Sequence, residues 1–198
     1  MIHTLNLLML EKIFKPTSEK FAIPFIKLLA FLNVKPNTVS YIGLFVVLMG
    51  AYYFYLGNNL FGIILIFLGS AIDGLDGPYA RYSNLSTEKG AILDSFLDRI
   101  GELVIWSVIG ISYTNSDIEL FIVFSILVSS NLIPYLRAKS ESYDVDNKKG
   151  ITPRPERVIF AVVYMYFQLP FIYMYIFAFL TWVTVFQRFI FLYRALDK

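Results

Sequence analysis

The sequence predicts an all-α integral membrane protein, with six transmembrane helices preceded by an amphipathic interfacial segment. Three observations carry this reading. At 57% hydrophobic, 18% aromatic and only 16% charged residues, the chain is far more apolar than a soluble domain of ordinary composition. The apolar residues fall into blocks near the length, about 20 residues, that crosses a bilayer as a helix. Lys and Arg cluster in alternate connections between those blocks, as the positive-inside rule requires of a multi-pass protein.

Residues 1–35 mix Leu5, Leu7, Leu8, Leu10, Phe14, Phe21, Phe25, Leu28 and Leu29 with Lys12, Lys15, Lys20 and Lys27, broken by Pro16 and Pro24. That pattern suits short helices lying in the membrane interface. Glu11 and the lysines interrupt the apolar run and no small-residue cleavage site follows, which argues against a secretory signal. Pro36 and the capping-capable Asn37 then open the first span, expected over 38–57. The following spans are expected over 59–82, 88–113, 117–142, 155–169 and 171–194. There is no internal repeat or low-complexity linker, so residues 36–198 are read as one bundle domain behind the segment 1–35.

With six spans, Lys12 to Lys35, Arg81 and Lys89, Arg137 to Arg157, and Arg188 to Lys198 all lie toward one side. The opposite connections, Gly57-Asn58-Asn59, Thr114 to Glu119 and Gln168-Leu169-Pro170, contain no Lys or Arg. Both termini are therefore expected in the cytoplasm, and so are the polar ends of spans two and three. A net charge of +2, with the cations flanking helices, gives no footprint for nucleic acid. The absence of cysteine excludes disulfides and thiolate metal ligands. Trp106 and Trp182 read as packing or lipid-facing residues, and the tyrosines of 164–175 as an interfacial belt.

Within this apolar chain, Asp73, Asp76, Asp94 and Asp98 stand in segments that otherwise read as membrane helix. A carboxylate near a helix centre costs about 2.5–3.5 kcal/mol on insertion scales, so four together need a neutralising partner. Asp73 and Asp76 are three apart and Asp94 and Asp98 four apart, so each pair projects from one face of its helix. Gly69 and Gly77 share the face of Asp73, and Gly90 shares that of Asp94 and Asp98, leaving room for a neighbouring helix or a ligand's phosphates. Hard divalent cations take carboxylate and phosphate oxygens. A pair of them would stabilise the attacking and leaving oxygens of an in-line phosphoryl displacement. Arg81 would add a fork of donors to phosphate oxygens. The alternative of a different class is a small cation transporter whose acids bind the transported ion.

The run Asp73-x2-Asp76-Gly77-x2-Ala80-Arg81-x8-Gly90-x3-Asp94-x3-Asp98 resembles the full signature of the CDP-alcohol phosphatidyltransferases, eight positions at fixed spacing over 26 residues. The resemblance implies six transmembrane helices behind an interfacial helix, a homodimer, and transfer of a phosphatidyl-type group from a CDP-linked lipid to an alcohol with release of CMP. It implies that Asp73, Asp76 and Asp94 hold two magnesium ions, manganese being the alternative, and that Asp98 completes the site as ligand and general base. It also implies a CDP-lipid site made by Asp73, Asp76, Gly77, Ala80, Arg81 and Gly90, with Asn37 supplied by the Pro36-Asn37-x-x-Ser40 element. The only histidine, His3, is far from the motif and no Ser-His or Cys-His pair stands nearby, which favours direct displacement over a covalent intermediate.

A second cationic group, Arg137, Lys139, Arg154 and Arg157, lies on the same side and suits an acceptor carrying its own phosphate. Lys148 and Lys149 read as ordinary flanking charges. The Tyr135-x-Arg137-Ala138-x-x-Glu141 run, Pro155-Glu156-Arg157 and Leu93 to Arg99 resemble the phosphatidylinositol-phosphate and archaetidylinositol-phosphate synthase branch, whose acceptor is inositol 1-phosphate. Pro78, Tyr79 and Lys89 depart from that pattern. Glycerol 3-phosphate as acceptor and a CDP-inositol donor, as in the di-inositol-phosphate synthases, are the alternatives. The expected location is the cell membrane of an archaeon or bacterium.

Overall fold

A computed structural model describes residues 22–197. Residues 1–21, most of the segment read as interfacial, lie outside the described residues. The helices are α1 Ala22–Phe31, α2 Pro36–Tyr55, α3 Asn59–Asp73, α4 Asp76–Tyr82, α5 Glu88–Tyr113, α6 Asp117–Glu141, α7 Arg154–Phe167 and α8 Ile172–Leu196. No strand occurs among the described residues.

The helix starts follow local chemistry. Thr87 accepts a hydrogen bond from Gly90 N–H and Ser116 one from Glu119 N–H, capping α5 and α6. Pro36 and Pro155 occupy the first turns of α2 and α7, where the missing N–H has no partner to lose. Between α3 and α4 the backbone tightens, with Leu75 N–H bonded to Ile72 O at 3.0 Å, so the expected span 59–82 is one apolar stretch with a break at Gly74–Leu75.

Four stretches are long and apolar enough to cross a membrane: Pro36–Tyr55, Asn59–Tyr82, Asp117–Glu141 and Ile172–Leu196. The other two expected spans differ for identifiable reasons. α5 has the length, 26 residues, but carries Glu88, Lys89, Asp94, Asp98, Arg99 and Glu102, all in its amino-terminal part up to residue 102. α7 is apolar beyond Arg157 but only 14 residues long.

α2 is the organising helix, packing on α3, α4 and α5, while α6 pairs with α8 and α7 closes against α3 and α5. The α2–α3 contact is backbone to backbone. A Cβ at Gly50 would stand 2.6 Å from Ile66 N, one at Gly62 2.6 Å from Phe54 N, and one at Gly43 2.8 Å from Asp73 N. Small residues at this seam let van der Waals packing replace the hydrophobic drive that lipid does not supply. One main apolar core contains Phe54, Ile66, Trp106, Ile109, Tyr164, Met165, Met174 and Phe177. In it Phe160 stacks on Phe177 with ring centroids 3.8 Å apart. Outward faces remain apolar, with Phe45, Phe67, Phe121 and Phe179 exposed, the surface expected of helices solvated by lipid.

Tyr79, a departure from the family pattern, has a structural explanation. Its ring is buried against Ile26 and Val39, and its hydroxyl donates to Val34 O at 2.5 Å, with Leu29 O at 3.3 Å. Tyr79 therefore ties α4 to the end of α1 and to the connection that follows it. Tyr79→Phe is expected to lower stability by about 1–3 kcal/mol, because it strands a carbonyl with no donor. Thermal unfolding in detergent checks this, and an unchanged melting temperature would mean that the hydroxyl does not hold α1.

The connection 142–153 is pinned to α8. Asn147 Nδ2 donates to Arg188 O at 3.0 Å, Arg188 Nε donates to Lys149 O at 2.7 Å, and the Ile151 and Thr152 N–H groups donate to Thr184 Oγ1 at 3.2 Å. Gly150, at φ +139°, is required there, since a Cβ would stand 2.4 Å from Thr184 Cγ2. This connection delivers the start of α7 to the acidic face of α5.

Candidate active site

The tightened turn after α3 puts Asp73 at the end of one helix and Asp76 at the start of the next, and α5 brings Asp94 opposite them. One carboxylate oxygen from each of Asp73, Asp76 and Asp94 lies within 4.8 Å of the others. Asp73 and Asp76 are buried and Asp94 is partly so. Asp76 is the most fully held: Gly77 N–H donates to its Oδ1 at 2.5 Å and the Ser40 hydroxyl donates to its Oδ2.

Asp98 is not one of the three but lies beside Asp73. Arg154, at the first turn of α7, donates from Nη2 to Asp73 Oδ2 at 2.6 Å and sets Nη1 2.7 Å from Asp98 Oδ1. One guanidinium thus spans the two aspartates. The Asp73 carboxylate has its other oxygen, Oδ1, buried with no hydrogen-bond donor among the described residues. An orphaned acceptor among three converging carboxylates is a donor set that fits a hard divalent cation. Asp73, Asp76 and Asp94 are the residues that would hold it.

Beside the trio opens a cleft of about 200 Å³. Asn37, Asp76, Gly77, Ala80, Arg81 and Gly90 line it together with Ser40, Ser86, Thr87 and Asp94, whereas Asp73 lies outside its lining. Gly90 sits where a Cβ would meet Asn37 Oδ1 at 3.2 Å and Thr87 Oγ1 at 3.1 Å, so its lack of a side chain keeps the wall of the cleft open. Gly77 has only Arg81 Nη1, at 3.4 Å, near such a position. Gly69 serves a different end, facing Val47 and Gly43 O in the α2–α3 seam.

The four expected acceptor-phosphate residues do not stay together. Arg154 reaches the carboxylates, as described. Arg157 is buried and paired with Glu102, with Nη2 donating to Oε2 at 2.8 Å and Nη1 to Thr152 O at 2.8 Å. Arg137 is half-exposed and donates to Glu141 one turn on at 2.9 Å, and the Lys139 ammonium lies 5.0 Å from the Tyr143 ring centre. The reason is geometric: Arg154 and Arg157 are three apart on α7 and meet Asp98 and Glu102, four apart on α5, so the second arginine is consumed by the second acid. Glu102 is legible in the sequence as a continuation of the Asp94–Asp98 face. Ser40 stands in the Pro36-Asn37-x-x-Ser40 element, but its contact with Asp76 is made across helices, as are those of Gly43 and Arg188, and spacing along the chain does not show such contacts.

An acidic trio beside a polar cleft, on helices that pack through glycines in an apolar bundle, fits a membrane phosphotransferase. Residues 33–187 match the CDP-alcohol phosphatidyltransferase family, and the chain belongs to it. It is 32% identical over 163 residues to the archaetidylinositol phosphate synthase of Pyrococcus horikoshii, covering 82% of this chain and 85% of that one. The crystal structure of Mycobacterium tuberculosis phosphatidylinositol phosphate synthase with CDP-DAG bound superposes with a TM-score of 0.75 at 25% identity, covering 88% of this chain and 94% of that one. The same enzyme in complex with manganese and citrate gives a TM-score of 0.76 at 24% identity, covering 87% and 88%, and shares the fold.

Proposed function

We propose that this chain joins a CDP-linked lipid to inositol 1-phosphate, releasing CMP and forming a phosphatidyl- or archaetidyl-inositol phosphate. The observation that carries this reading is the convergence of Asp73, Asp76 and Asp94 at the mouth of a cleft lined by Gly77, Ala80, Arg81 and Gly90. The relatives' names support the acceptor. Magnesium, or manganese, held by the trio and by Asp98 in a two-ion site would supply positive charge to the diphosphate and to the leaving CMP.

The residues of this chain divide the remaining work. Asn37 and the backbone at Gly77 and Gly90 admit the nucleotide, and Arg81 faces its phosphates from the last turn of α4. The acceptor hydroxyl attacks the lipid-side phosphorus in line. The new oxygen–phosphorus bond forms as the bond to CMP breaks, and the hydroxyl proton passes to an Asp98 carboxylate oxygen. Arg154 is the acceptor-side cation, since its guanidinium already lies beside both Asp98 and Asp73. The acceptor-phosphate role expected of Arg137, Lys139, Arg154 and Arg157 narrows to Arg154 in this reading.

The architecture is read as six spans with residues 1–35 at the interface, residues 36–198 as the catalytic domain, and both termini and the cleft in the cytoplasm. The charge asymmetry of the connections supports that orientation, and the apolar outer faces of α5 and α7 support counting them as spans. The partner in the membrane is a second copy of the chain.

Acceptor profiling tests the function. Purified enzyme with CDP-lipid and magnesium is expected to release CMP with inositol 1-phosphate and not with free inositol or serine, and to stop on adding EDTA. Product from glycerol 3-phosphate alone would move the enzyme to another branch of the family, and release unaffected by EDTA would remove the metal.

A further inference from the structure

Ser40 belongs to the Pro36-Asn37-x-x-Ser40 element, in which the family resemblance gives a function only to Asn37. It lies on the second turn of α2, is 3% exposed, and donates its one hydroxyl proton to Asp76 Oδ2, the carboxylate being 7% exposed. The competing acceptor within reach, Pro36 O, is 3.5 Å away, at the outer limit of a hydrogen bond. Gly77 N–H holds the other oxygen, Oδ1, at 2.5 Å. Asp76 is therefore gripped at both oxygens by donors from two helices, while Asp73 is held through Arg154.

We propose that Ser40 is the positioning residue for Asp76: its hydroxyl fixes the carboxylate plane so that a lone pair of Asp76 is presented to a divalent cation shared with Asp73 and Asp94. This rests on the metal reading above. The physical reason is that a carboxylate on a freely rotating Cα–Cβ bond must be ordered when it binds an ion, and a neighbouring donor supplies that order in advance. Removing such outer donors typically costs about 10–100-fold in metal affinity or activity. Ser40 also links the position of α2 to the metal ligand. α2 presses backbone to backbone on Asp73 through Gly43, so one helix sets two of the three carboxylates.

The test is manganese binding to the purified full chain, followed by electron paramagnetic resonance, together with the metal dependence of CMP release. Ser40→Ala is expected to raise the manganese Kd about tenfold, and to raise the metal concentration for half-maximal rate with kcat recovering at saturating manganese. Ser40→Thr keeps the hydroxyl and is expected to stay within about twofold of wild type, while Ser40→Cys, a weak donor of similar size, should behave as Ala. If Ser40→Ala does not fold, the Thr and Cys pair decides. A wild-type manganese Kd in Ser40→Ala or Ser40→Cys, or a loss of kcat that saturating metal does not restore, overturns the inference while leaving the metal site intact. Wild-type protein that binds no manganese overturns the metal reading and this inference with it.

Discussion

Asp98→Asn is expected to bind CDP-lipid with near wild-type affinity and to lose turnover by about 10²–10⁴-fold. The substitution keeps size and shape but leaves an amide that does not take up the acceptor's proton. Binding is expected to survive because Asp73, Asp76 and Asp94 still converge beside the cleft and Asp98 lies outside the cleft lining. Its ion-pair partner is Arg154, with Nη1 at 2.7 Å. Equilibrium binding of a CDP-lipid and the rate of CMP release, measured on the same preparation, separate the two effects. A variant that retained near-normal turnover would remove Asp98 as base. One that lost nucleotide binding and turnover together would leave Asp98 a metal ligand only, without the base role.

Breaking the pair of Glu102 and Arg157 is expected to have the largest effect on stability. Both side chains are nearly sealed from solvent, Arg157 at 2% and Glu102 at 3% exposure, and the guanidinium meets both carboxylate oxygens. Arg157→Met leaves Glu102 as a lone buried charge and is expected to cost about 3–5 kcal/mol. Replacing both, Glu102→Leu with Arg157→Met, is expected to recover most of that loss, because two apolar chains of similar volume carry no desolvation cost. Melting temperatures of the two single variants and the double variant in one detergent decide it. A single variant as stable as wild type would mean that water or another residue already neutralises the pair. Because this pair also sets α7 against α5 one turn below Arg154 and Asp98, the stable double variant should show a raised KM for the acceptor, as Arg154 loses its register.

The acidic motif is fully legible in the sequence. Four aspartates inside apolar helix have few physical excuses, and spacings of three and four residues place each pair on one helix face. The cleft residues Asn37, Gly77, Ala80, Arg81 and Gly90 follow from the family resemblance, and all five meet in one cleft. The span count is less legible, because hydropathy averages over a window. α5 places its charges at one end, where the site is built, and α7 is cut short by the pinned connection 142–153. Tyr79 looks like a misfit in the motif because one-dimensional spacing does not say which side of a short helix meets α1.

The cationic group divides the two kinds of knowledge most clearly. Four Arg and Lys residues on one side of the membrane are a fact of the sequence, and so is their suitability for phosphate. Which of them reaches the aspartates is not, since a guanidinium's place depends on which acid stands opposite it after folding: Glu102 takes Arg157, Glu141 takes Arg137, and Arg154 meets Asp73 and Asp98. By itself the sequence determined the membrane class, the family and the identity of the carboxylates, because hydropathy and helical spacing act locally along the chain. Only the tertiary structure decided which charges neutralise one another and which hydroxyl steadies Asp76, because charge and hydrogen-bond energies depend on distances between helices that no single segment encodes.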